Sequence, residues 1–127
     1  MSKILVIEDE DNVREIVFEI LTAEGFEVLQ AENGVIGLQL AQQQLPCLII
    51  CDIMMPGLDG HDVLLQLQQD TATRTIPFIF LSAKSTHIDR RTGMNLGADD
   101  YLTKPCTRAD LLKAVTARLV KHSYIQS

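Results

Sequence analysis

Cys47-Leu48-Ile49-Ile50-Cys51-Asp52 is an apolar run that ends on a carboxylate. Pro46 precedes it and Pro56-Gly57 closes the segment after it, so residues that interrupt regular structure bound it on both sides. A short continuous apolar run of this kind reads as a strand buried on both faces, as in parallel sheets covered by helices. The carboxyl ends of such strands are where open α/β sheets place ligands and chemistry. Working outward, Ile4–Ile7 leads into Glu8-Asp9, Phe78–Leu81 into Ser82, and Tyr101-Leu102 toward Lys104. Four strand-like segments thus carry acids, a hydroxyl and an amine to the same kind of position.

Apolar runs alternate with helical periodicity five times: Ile4–Ile7, Phe26–Gln30, Cys47–Cys51, Pro77–Leu81 and Asp99–Leu102. After the first run, Val13, Ile16, Val17, Ile20 and Leu21 recur at three- and four-residue spacing and form one apolar helix face, with Gly25 at its C-terminal end. Further helices are predicted over Gly34–Gln43 and Gly60–Gln69. A weaker one spans Thr86–Asn95, anchored by Ile88 and Met94, and the last runs from Thr107 to about His122. Thr107 with Asp110 forms an N-cap signal for the last helix, whose stripe is Leu111, Leu112, Val115 and Leu119. Strand–helix repeated five times implies a doubly wound α/β fold: a five-stranded parallel sheet with helices on both faces. Residues 1–122 read as one domain, and 123–127 as a tail or the start of a linker.

A chain of 127 residues holds one domain with a real core. It is 46% hydrophobic and 22% charged, without an apolar run near the ~20 residues of a membrane span. The net charge of −6 argues against a nucleic-acid surface, which clusters Lys and Arg. Part of that charge is the unbroken acidic run Glu8–Asp11, which at a strand end can hold a cation. Cys47 and Cys51, four apart on one strand, are too distant to bridge; with Cys106 they read as small core or boundary residues in a reducing compartment. His61, His87 and His122 are scattered and read as surface residues.

The segments Ile7-Glu8-Asp9-Glu10, Asp52-Ile-Met-Met-Pro-Gly-Leu-Asp-Gly60, Leu81-Ser82-Ala83 and Gly97-Ala-Asp-Asp-Tyr-Leu-Thr-Lys-Pro105 together resemble the receiver domains of two-component response regulators. The likeness covers about residues 3 to 121, and four short motifs in the same order and spacing make it specific. It implies a flavodoxin-like (βα)5 fold. It implies that Asp52 is the phosphoacceptor, taking a phosphoryl group from a sensor histidine kinase or phosphotransfer protein. By the same resemblance Mg2+ is held by Asp9 directly, Glu8 through water, Asp52, and the backbone carbonyl of Met54. Ser82 matches the switch hydroxyl, Lys104 the phosphate-pairing amine, Tyr101 the switch aromatic, and Pro105 a proline after a cis peptide bond.

Further implications are a cytoplasmic location and catalysis limited to the protein's own phosphorylation and dephosphorylation. Output would pass to a partner or attached domain through the face formed by the fourth helix, fifth strand and fifth helix, with a phosphorylation-dependent dimer as one form of it. Direct binding to nucleic acid or membrane is not expected.

The residues themselves agree with these roles. A carboxylate nucleophile forms a covalent intermediate, here a mixed anhydride with phosphate. Clustered carboxylates repel an incoming phosphoryl donor unless a hard cation offsets their charge. Lys104 adds a point charge, and Ser82 can donate to a phosphate oxygen present only after transfer, which is the differential contact a switch requires. If Ser82 is drawn inward, it vacates space into which Tyr101 can turn. Asp59 and Gly60 are assigned to shaping the loop and capping the third helix.

Two other readings share some features. A haloacid-dehalogenase-like phosphatase also uses a strand-end Asp, but it needs a second Asp two residues on, where this chain has Met54. A phosphate-independent interaction module typically loses the acceptor, acid pair or lysine, all present here. Cys106 departs from the phenylalanine common in the family after Pro105, a change read as packing variation. By the same resemblance, Met54 and Lys84 match two positions that in the family tune acyl-phosphate hydrolysis, which implies a moderately long-lived phosphoryl state.

Overall fold

The computed structural model describes residues 2–84 and 86–126, with side chains described as far as residue 120. The elements are β1 (Lys3–Ile7), α1 (Asp11–Ala23), β2 (Glu27–Ala31), α2 (Gly34–Gln44), β3 (Leu48–Cys51), α3 (Gly60–Gln69), β4 (Phe78–Ser82), α4 (His87–Asn95), β5 (Asp100–Thr103) and α5 (Arg108–Gln126). All strand pairs are parallel, in the order β2-β1-β3-β4-β5. This is the five-stranded doubly wound α/β arrangement the alternating pattern predicts.

Each strand points successive side chains to opposite faces, so the sheet makes two cores. Leu5, Ile7, Ile49, Cys51, Phe78, Phe80 and Tyr101 pack with α2 and α3. Ile4, Val6, Leu48, Ile50, Ile79 and Leu81 pack on the other side, against Val17 and Leu21 of α1 and Leu111, Ala114 and Val115 of α5. Every residue of β3 and β4 is buried, which is why these strands read as unbroken apolar runs.

The helix starts follow local chemistry. Asp59 accepts from the Asp62 N–H, and the Asp62 carboxylate accepts in return from the Asp59 N–H, a capping box at α3. Thr86 and Asp89 form another at α4. The Thr107 hydroxyl accepts from Asp110 N–H at the start of α5.

Three expectations differ from the structure. Ile88 and Met94 do not anchor α4; they are 75% and 43% exposed. The core-facing position is Gly93, where an added Cβ would lie 2.9 Å from Tyr101 Cδ2 and 3.1 Å from Phe80 Cδ2. The helix docks through the absence of a side chain, which an apolar pattern does not register. Second, α5 continues to Gln126, since no Gly or Pro after Thr107 breaks it. Third, His61 is no plain surface residue: it is half-buried, its ring edge-on to Phe80 with centroids 5.5 Å apart. His87 is exposed, and the His122 side chain lies outside the described residues.

Candidate functional site at the carboxyl end of the sheet

The ladder that builds the sheet also brings the site together. Ile7, Cys51, Phe80 and Tyr101 share one register row across β1, β3, β4 and β5. Just past that row the Asp52 N–H donates to the Ile7 carbonyl at 3.0 Å, and the Lys104 N–H donates to the Ser82 carbonyl at 2.8 Å. Glu8, Asp52, Ser82 and Lys104 therefore stand at one edge because their strands end in register.

Asp52 is 4% exposed, Glu8 2% and Ser82 0%. Polar side chains this buried need partners. Asp52 Oδ1 accepts the N–H of Ile53 at 2.8 Å, leaving Oδ2 toward Lys104 Nζ at 3.3 Å. The Lys104 ammonium also lies 2.5 Å from Glu8 Oε1 and 3.7 Å from Glu10 Oε1. Burial pushes the Glu8 carboxyl up to about 7; the Lys104 and Glu10 N–H contacts pull it back, and the neighbouring Asp52 charge pushes it up again. Burial would lower the Lys104 amine, but Glu8 and Asp52 outweigh it and hold the amine above its ordinary value. One ammonium thus stands among three carboxylates.

Glu8, Glu10 and Asp52 each bring a carboxylate oxygen within 4.8 Å of the others. An all-oxygen donor set with surplus negative charge suits a hard divalent cation. Asp9 is not in this cluster. It borders a separate cavity of about 650 Å3 with Asp11, Glu32 and Asn33, and its Oδ1 is buried with no hydrogen-bond partner among the described residues. Met54 is exposed. Glu10 carries no site role in the sequence reading, because inside an acidic run of four only geometry separates a site residue from a solvated one.

On the β4 side the Ser82 hydroxyl accepts from the Lys84 N–H at 3.2 Å. Tyr101 is buried, 2% exposed, and donates to the Lys84 carbonyl at 2.7 Å. Its ring is therefore turned inward. Arg90 covers it, with the guanidinium carbon 5.5 Å from the ring centroid and Nη1 donating to the Tyr101 carbonyl at 3.2 Å. The Lys104–Pro105 peptide bond is cis. Cys106 is half-buried between two cavities, one along α1 and one along α5, and all three cysteines are free.

Gly60 supports Asp52 from behind. Its N–H donates to the Ile53 carbonyl at 2.9 Å, and a Cβ there would fall on the Asp52 carbonyl oxygen.

The chain is similar to known proteins in sequence and fold. The response regulator receiver domain family matches residues 4–116. Protein PilH of Pseudomonas aeruginosa is 40% identical over 119 residues, covering 94% of this chain and 98% of PilH. The DNA-binding dual master transcriptional regulator RpaA of Synechocystis is also 40% identical over 119 residues, but those cover only 49% of it. The chain spans about half the length of several such curated relatives. A putative response regulator from Chloroflexus aurantiacus superposes with a TM-score of 0.90 at 33% identity, over 94% of this chain and 98% of that one. The receiver domain of sensor histidine kinase PA1611 from Pseudomonas aeruginosa, with magnesium coordinated in its active site cleft, superposes at 0.86 with 27% identity, over 93% and 97%. With the in-register acidic edge, the strand order and a match over most of its length, the chain belongs to the response regulator receiver domain family.

Proposed function

We propose that Asp52 is the phosphoacceptor of this receiver domain, and that Ser82, Lys104 and the acidic residues around it serve that reaction. The observation that carries the reading is the buried Asp52 carboxylate with one oxygen tied to Ile53 N–H and the other facing Lys104 Nζ. In the transfer, an Asp52 oxygen forms a bond to phosphorus. The bond from phosphorus to the donor, an imidazole nitrogen of a phosphohistidine, breaks, and that nitrogen keeps the electron pair. The product is an acyl phosphate. Lys104 then pairs with a phosphoryl oxygen, and the Ser82 hydroxyl donates to another.

Receiver domains bind Mg2+ in their acidic site, and the carboxylates here fit it: Glu8, Glu10 and Asp52 form one oxygen cluster, and Asp9, outside that cluster, has a buried oxygen without a hydrogen-bond partner among the described residues. A bound Mg2+ would offset the carboxylate charge and the charge of the transferring group. Asp9 and the Met54 carbonyl complete the set by family resemblance.

Receiver domains interact with histidine kinases and output domains. For this chain we assign the output surface to α4, β5 and α5, where Arg90, Tyr101, Lys113 and Arg118 line a cavity of about 440 Å3. A dimer through that face, a cytoplasmic location, and catalysis confined to its own phosphorylation and dephosphorylation belong to the same reading. Among the described residues no helix is long and apolar enough to cross a membrane.

The test is intact mass after incubation with acetyl phosphate, with and without Mg2+, beside Asp52→Asn. One Mg2+-dependent, base-labile phosphoryl adduct absent from the variant is expected. An adduct that persists in Asp52→Asn would move the acceptor elsewhere.

A further inference from the structure

Glu10 occupies the N-cap of α1, with extended backbone (φ −82°, ψ 113°), yet its side chain makes no capping hydrogen bond. Capping positions favour Asn, Asp, Ser and Thr, whose short side chains fold back onto the first-turn N–H groups. The extra methylene of Glu10 instead carries its carboxylate across the mouth to 3.7 Å from Lys104 Nζ and into the oxygen cluster with Glu8 and Asp52. The backbone is built to aim it there. The Glu10 N–H donates to Glu8 Oε2 at 3.1 Å. Arg14 pins both flanks, with Nη1 donating to the Glu8 carbonyl at 2.8 Å and Nη2 to Asp11 Oδ1 at 2.6 Å.

We propose that Glu10 is a positioning residue that gives up the helix cap in order to hold the Lys104 ammonium at the mouth and to share a divalent cation with Glu8 and Asp52. Unlike those two it is largely exposed, its side chain 65% accessible, so it can move between the two positive partners. Without a cation it steadies Lys104, and with one it becomes an added oxygen donor or counter-charge. The exposed pair is screened, so its contribution is a tuning one. The proposal rests on the reading of this edge as a cation-dependent phosphoacceptor site.

The design predicts two shifts that a merely structural residue would not produce together. Glu10→Asp keeps the charge, loses the reach and supplies a good cap. Glu10→Gln keeps the reach and loses the charge. Thermal melts of the whole chain in EDTA, followed by Mg2+ titration of the melting temperature, read both properties, with Glu15→Gln as a control for charge on α1. In EDTA, Glu10→Asp should melt a few degrees above the unmodified protein. Both Glu10 variants should raise the Mg2+ half-point about 3- to 10-fold, while Glu15→Gln should change it less than about 2-fold. A lower melting temperature for Glu10→Asp in EDTA would overturn the sacrificed cap. Half-points at the unmodified value, beside a clear Mg2+ response of the unmodified protein, would overturn the proposal alone. No Mg2+ response in the unmodified protein would overturn the cation site and the proposal with it.

Discussion

The Tyr101 hydroxyl donates a 2.7 Å hydrogen bond to the carbonyl of Lys84, two residues beyond Ser82. That bond ties β5 to the loop whose Lys84 N–H is held by the Ser82 hydroxyl. In the proposed function, a contact between Ser82 and a new phosphoryl oxygen would reach Tyr101 through this short stretch of backbone. On that proposal the loop with its aromatic clasp would be the bistable element, and a phosphoryl group would bias it only by bonding one arrangement better than the other.

Gly93 holds the space that the inward Tyr101 occupies. Adding a Cβ in Gly93→Ala puts it 2.9 Å from the Tyr101 ring and 3.1 Å from Phe80. The expected result is an outward Tyr101 and a net loss of about 1–2 kcal/mol, overpacking being offset in part by the better helix propensity of alanine. Tyr101 ring resonances in NMR and a urea melt read the two effects. A variant with unshifted Tyr101 resonances would show that α4 simply moves aside.

Gly60→Ala should be costlier and should reach the reaction. Both close neighbours of the new Cβ are backbone, the Asp52 carbonyl and Ile53 Cα, and neither can swing away as a side-chain tip would. A loss of about 2–3 kcal/mol is expected. The rate of Asp52 phosphorylation from acetyl phosphate should fall with it, because Asp52 sits on the displaced segment. Wild-type rates in a destabilised variant would separate the loop from the chemistry.

The sheet was legible because β3 and β4 are buried throughout and β1 is buried beyond Lys3, so each shows an unbroken apolar run with a polar residue only at its edge. The strand-end groups Glu8, Asp52 and Ser82 were legible for the same reason, as the first polar residues after each run, whereas Lys104 lies one residue further, past Thr103 on the partly exposed β5. What resisted reading depends on shape. Gly93 is a contact made by a missing side chain, and the inward state of Tyr101 is decided by Arg90 and Lys84 from other elements. The placing of Glu10 rather than Asp9 beside Glu8 and Asp52 depends on the backbone turn that Arg14 pins, and periodicity carries no trace of it.

Leu45 closes α2 in the left-handed region, φ 46° and ψ 63°, where glycine is the usual residue. Its side chain is 54% exposed, so little burial holds it there. Leu45→Gly should relieve a backbone cost of about 1 kcal/mol and raise the urea midpoint, at some expense in unfolded-chain entropy. A lower midpoint would mean that the residual leucine contacts outweigh the strain.

Glu8 makes the cation-free protein sensitive to pH in a direction opposite to that of an ordinary paired carboxylate. Its folded value of about 7 lies above the ordinary 4.5, chiefly because burial disfavours the charged form. Between those values the folded chain binds a proton that the unfolded chain has released, so stability falls as pH rises. The loss begins near 4.5, is complete above about 7, and is absent below the unfolded value. Melting temperatures in EDTA should therefore decline across that window, and Glu8→Gln should flatten the slope because it cannot ionise. Adding Mg2+ should reverse the decline at the alkaline end, where the carboxylate is free to bind it. An equal slope in Glu8→Gln would assign the pH dependence to another group.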